Sequence, residues 1–150
     1  MEKIKIEQVI NELLMRSGSA ARVQLESYFP EGRLVGGKYS MNQHTITMYI
    51  GVITEQCLQM FSSLDYMIDY FTVVFAHELG HAEDQDLSNL AEQLEICSTE
   101  RERNMISLKI EENAWEFAER LLPEMDQAFM KKIVFYSLEP YREKIQMEIA

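Results

Sequence analysis

The sequence predicts a single α+β domain, mainly helical, with a small β-sheet packed against one central helix. Three observations predict it. Apolar residues recur at helical spacing over most of the chain, two β-rich runs flank a short polar pair near its first third, and one apolar run is long enough for a buried helix. A chain of 150 residues, 47% hydrophobic, can bury one core, and its length argues against two.

The elements follow in order. From Glu2 to about Arg16, Ile6, Val9, Ile10, Leu13 and Leu14 fall on one helix face, and Ser17-Gly18-Ser19 stops the helix. Residues 20–30 fit a short helix or a strand, ending in the turn Pro30-Glu31-Gly32. Residues 34–41 and 44–50, flanking Asn42-Gln43, read as a hairpin. A free edge along residues 44–50 is expected to pair with an extended peptide. Residues 51–63 form a connection or short helix carrying Cys57, and the central helix begins near Leu64, with Ser63 or Asp65 as its cap. Further helices are expected at 88–97 and 100–122, the second closed by Pro123. A last pair, 125–138 and 141–149, is split by Pro140.

The central helix ends in His77-Glu78-Leu79-Gly80-His81. Residues four apart lie on one helix face, so His77 and His81 can aim imidazole nitrogens at one cation. Glu78, turned about 100° away, stays outside the coordination shell but within reach of a water that must lose a proton. Two ligands and a base at this spacing are the signature of a zinc (Zn2+) hydrolase of the zincin-like type. The plain alternative is a buried helix with two hydrogen-bonded histidines. Two of the chain's three histidines are here, and Gly80 fits a place where another backbone or the metal comes close.

A catalytic zinc commonly takes a third protein ligand. The extended three-histidine motif would need a glycine at 84 and a histidine at 87; Asp84 and Leu87 stand there instead. His44, beside the hairpin turn, reads as a solvated polar residue. Twelve acidic residues lie from Glu83 to Glu124, most of them a solvated face. On a helical wheel of 106–122, Ile106, Leu108, Ile110, Ala114, Trp115, Phe117, Ala118, Leu121 and Leu122 make an apolar arc of roughly 200°. Glu111 falls inside it, whereas Glu112, Glu116 and Glu119 fall outside. A carboxylate on a buried face needs a positive partner: zinc, or an arginine such as Arg16, Arg22 or Arg142. Ala114 and Ala118 would let this helix approach the motif helix closely. Asp84 could orient a histidine if the motif helix runs that far, and Tyr141 or Arg142 could stabilise an oxyanion.

Charge and targeting narrow the class. A formal charge of −11 argues against direct binding to a phosphate backbone and suits solubility or a basic partner. The alternating charged and aliphatic N-terminus lacks a signal peptide's apolar core, and no run reaches the roughly 18 apolar residues of a membrane span. A cytoplasmic location is expected. Cys57 and Cys97, forty residues apart in no metal-binding pattern, read as reduced thiols.

The run Tyr70-Phe71-Thr72-Val73-Val74-Phe75-Ala76-His77-Glu78-Leu79-Gly80-His81, followed by Glu111-Glu112-Asn113-Ala114-Trp115-Glu116-Phe117-Ala118-Glu119-Arg120-Leu121-Leu122-Pro123, resembles the ImmA/IrrE metallopeptidases. The resemblance spans roughly residues 35–123. It implies His77, His81 and Glu111 as zinc ligands and Glu78 as general base, in an enzyme that cuts a DNA-binding repressor of bacteria or their mobile elements. That repressor is expected to be a separate chain. Trp115 stands where many relatives carry asparagine, and Pro123 follows Leu122 directly where many have one more residue between; neither is a proposed ligand. Two other classes remain open: a metal-stabilised protein-interaction module without turnover, and a hydrolase of a small amide.

Overall fold

Helix-forming periodicity and β-branched runs sort into six helices and three strands in the computed structural model, which describes residues 2–149. Helix α1 (Glu2–Ser17) buries Ile6, Ile10 and Leu13 and ends at Gly18, whose φ of 71° lets its N–H close back on the Leu14 carbonyl at 2.9 Å. Strand β1 (Arg22–Glu26) follows, settling the ambiguity over residues 20–30 in favour of a strand. After the short turn of 3-10 helix at Pro30–Gly32 come β2 (Gly37–Ser40) and β3 (Thr45–Tyr49).

The strands order as β1-β3-β2, with β1 parallel and β2 antiparallel to β3. Residues 44–50, expected to offer a free edge, therefore form the middle strand, which is hydrogen-bonded on both sides. The reason is β1: once residues 22–26 join the sheet beside β3, the free edges pass to β1 and β2. Ile46 and Met48, fully buried, fix the inner face of β3. The hairpin loop takes in His44, at φ 48°, whose Nδ1 lies 2.7 Å from the Tyr39 hydroxyl.

Helix α2 (Ile50–Phe61) starts directly from β3 and carries the buried Cys57; no disulfide joins Cys57 to Cys97. The motif helix α3 (Met67–Ala82) begins later than Leu64, because Ser63 accepts the Asp65 N–H at 3.0 Å and spends its hydroxyl on the preceding turn. It is buried almost all round, with Phe71, Val73, Phe75, Ala76 and Leu79 fully enclosed, since the sheet, α1, α2 and α5 all pack on it.

Beyond α4 (Leu87–Ile96), α5 (Glu100–Leu121) is capped by Thr99, which accepts the Glu102 N–H at 3.1 Å. The expected break at Pro140 does not occur: α6 (Gln127–Ile149) is one helix with the proline inside. Proline costs one ladder hydrogen bond there. Buried Met130, Ile133 and Leu138 seat the helix in the core, and a 3.0 Å bond from Trp115 Nε1 to Ser137 Oγ ties it to α5 just before the proline. No described helix is long and apolar enough to cross a membrane.

Candidate metal centre

Helices α3 and α5 bring the expected residues together because nothing separates their backbones. A Cβ on Gly80 would lie 2.4 Å from the Ala114 carbonyl oxygen, so only glycine fits, and Ala114 and Ala118 are fully buried at the contact. Gly80 thus answers to another backbone rather than to the metal. At this closest approach α5 delivers Glu111 across the face that carries His77 and His81.

Glu111 spans the two imidazoles. Its Oε1 lies 3.0 Å from His77 Nε2, and its Oε2 lies 3.3 Å from His81 Nε2. The arginine alternative is not realised: Arg16 bonds Leu121 O, Glu124 and Glu12, Arg22 reaches Gln43 O, and Arg142 is exposed. Glu78 takes the other side of His77, its Oε2 3.0 Å from Nδ1. His77, Glu78 and His81 are all buried, their ligand atoms lie within 4.8 Å of one another, and the group could hold a metal ion.

Two carboxylates thus compete as the third ligand. Glu111 faces the Nε2 atoms of both histidines with both oxygens, whereas Glu78 faces the remaining nitrogen of one, where it fixes that ring's orientation. Geometry therefore favours Glu111 in the shell and Glu78 beside it. Glu78 sits closer to His77 than its helical angle alone implied. Its side chain lies against the bare backbone of Gly37, where a Cβ would come within 2.8 Å of Glu78 Cγ.

The electrostatics of the site suit a cation. Burial, the largest influence on His77, pushes its pKa down, but the charges and hydrogen bonds of Glu78 and Glu111 outweigh burial and lift it to about 9. Burial would raise the Glu111 carboxyl, yet its hydrogen bonds to His77 and His81 and their charges hold it far below the usual carboxylate range. Two imidazoles and a carboxylate that favour positive charge between them are a donor set that could take a metal ion there.

Trp115, one turn beyond Glu111 on α5, stacks on the His77 ring with centroids 4.3 Å apart. That contact was open to sequence reasoning, since i and i+4 share a helix face. Asp84 does not orient a histidine. The helix ends at Ala82, and Asp84 instead accepts the Asp86 N–H at 2.9 Å and the Asn113 amide at 3.3 Å. His44 lies outside the cluster, held by Tyr39.

Two cavities meet at the cluster. One of about 440 Å³ is walled by His77, Glu78, His81 and Glu111 together with β2 and Tyr141. The other, about 560 Å³, touches His77, Glu78 and Gly37 and runs under Tyr70, Trp115 and Ser137. A larger groove, between α1 and the start of α6, contains none of these four residues. No protein-family model, curated protein or solved structure matches the chain.

Proposed function

We propose that the protein is a zinc-dependent endopeptidase acting on a protein substrate. The observation that carries this reading is the convergence of His77 Nε2 and His81 Nε2 on the two oxygens of Glu111, with Glu78 alongside. His77, His81 and Glu111 would hold the metal. Bound there, zinc lowers the pKa of a water and polarises a carbonyl. Glu78 takes the proton of the attacking water at Oε1, the oxygen that His77 leaves free, and returns it to the leaving amine.

Strand β2 supplies the means to hold an extended chain. The Tyr49 N–H bonds the Gly36 carbonyl, so alternation turns the backbone groups of Gly37 and Tyr39 away from β3, toward the free edge. Gly37 lies directly against Glu78. A peptide added to this edge passes the base, and the two cavities on either side accommodate more than a small amide. The charge of −11 matches a basic substrate, as a separate DNA-binding repressor in the cytoplasm would be.

The bond between Glu78 and His77 Nδ1 would also serve a metal site that only stabilises an interaction module. Zinc content of the wild type, Glu111→Ala and Glu78→Gln, together with new N-termini formed in a bacterial lysate, separates the readings. The peptidase reading expects about one zinc in the wild type and Glu78→Gln, little in Glu111→Ala, and new N-termini with the wild type alone. Zinc without any cleavage would turn the reading to the module, and no zinc in the wild type would remove the metal centre.

A further inference from the structure

We propose that Tyr141 is a second catalytic residue, whose hydroxyl donates a hydrogen bond to the substrate oxygen that gains negative charge when the peptide carbonyl is attacked. This rests on the peptidase reading and adds to it the group that receives the developing charge.

The position of Tyr141 follows from the packing of α5 on α6. A short connection makes the two helices antiparallel, and the bond from Trp115 Nε1 to Ser137 Oγ sets their register. One turn back along α5 from Trp115 is Glu111, and one turn on along α6 from Ser137 is Tyr141. In antiparallel helices those two positions face each other. Accordingly, Tyr141 walls the same cavity as His77, Glu78, His81 and Glu111. The unbroken course of α6 through Pro140 is what carries it there.

Elimination points the same way. Apart from the four cluster residues, the cavity's polar side chains are Lys38, Tyr39 and Tyr141. Lys38 is exposed, and the Tyr39 hydroxyl is engaged with His44. The Tyr141 side chain is half-buried, and its hydroxyl makes no hydrogen bond to any described residue and stays open to the cavity, whereas the buried Tyr70 hydroxyl is spent on Gln56. Burial raises its pKa above the ordinary phenol value, so it stays a protonated donor at neutral pH. A pre-aimed donor in a partly desolvated cavity favours the charged transition state over the neutral substrate. The phenol keeps its proton throughout.

The test uses the zinc-loaded full chain and Tyr141→Phe, which removes one oxygen. Two probes on the same short peptide are compared by calorimetry: a phosphinic peptide, whose tetrahedral oxygens mimic the charged intermediate, and a mercaptoacetyl peptide, which binds through sulfur. Expected are unchanged zinc content and thermal midpoint, a loss of about 10- to 100-fold in phosphinate affinity, and unchanged affinity for the thiol. Unchanged phosphinate affinity, or equal losses with both probes, would make Tyr141 a wall residue and overturn the proposal while the peptidase reading stands. Loss of zinc in Tyr141→Phe would overturn it too, by assigning the hydroxyl to Glu111. A wild type that holds no zinc, or holds it and binds neither probe, would remove the peptidase reading and this proposal together.

Discussion

Gly80 and Ala114 touch backbone to backbone: a Cβ on Gly80 would come within 2.4 Å of the Ala114 carbonyl oxygen and 2.8 Å of its Cα. Neither atom can yield as a side chain can. Gly80→Ala must therefore push α3 and α5 apart at the level where Glu111 meets His77 and His81. Such overpacking costs about 1–3 kcal/mol, read as a lower urea midpoint of the metal-free protein. Zinc affinity should fall as well, since the ligands come from the two separated helices. A variant with wild-type midpoint and wild-type affinity would show that the close approach is dispensable.

A second glycine would separate the role proposed for Glu78 from that proposed for Glu111. Gly37 on β2 leaves room for Glu78, whose Cγ would lie 2.8 Å from an added Cβ; Met48 Sδ, at 3.1 Å, blocks the other way out. In Gly37→Ala the Glu78 side chain is displaced and its bond to His77 Nδ1 is lost, while the Glu111 bond and the Trp115 stack still hold the His77 ring and His81 and Glu111 keep their places. Zinc content should stay near that of the wild type, and cleavage should fall about a hundredfold, the usual consequence of misplacing a reacting group by about an ångström. Equal loss of metal and cleavage would instead place Glu78 among the ligands.

Where one helix decided the matter, its residues were legible. His77 and His81 share a face by spacing alone, and Glu111 stood out as a carboxylate inside an apolar arc; the structure brings all three into contact. What failed depended on neighbours distant in sequence. The free edge expected along residues 44–50 vanished because residues 22–26, locally ambiguous, add a parallel strand. Pro140 fails to break α6 because tertiary packing against α5 outweighs one lost hydrogen bond, and Asp84 turns to Asn113 because α3 stops at Ala82. Gly36-Gly37 inside a β-rich run did carry a signal of close approach, but not what approaches.

In the proposed centre, protons and metal would compete for one place, which sets a pH dependence. With its pKa raised from 6.5 to about 9, His77 contributes stability to the metal-free fold that is complete below about 6.5 and lost as pH rises through about 9. Glu111, lowered from 4.5, contributes stability that is present above 4.5 and lost as pH falls through its folded value. The contribution of the cluster to metal-free stability should therefore be greatest between about 4.5 and 6.5. Zinc must displace the His77 proton, so its affinity should rise about tenfold per pH unit as pH increases toward 9. Trp115, the chain's one tryptophan, stacks on the His77 ring and provides the readout. Its emission, followed during zinc titrations at pH 6.5 and 8, should change with metal occupancy and give the tighter binding at pH 8. Emission that tracks zinc with equal affinity at both values would mean that His77 holds no proton for the metal to displace.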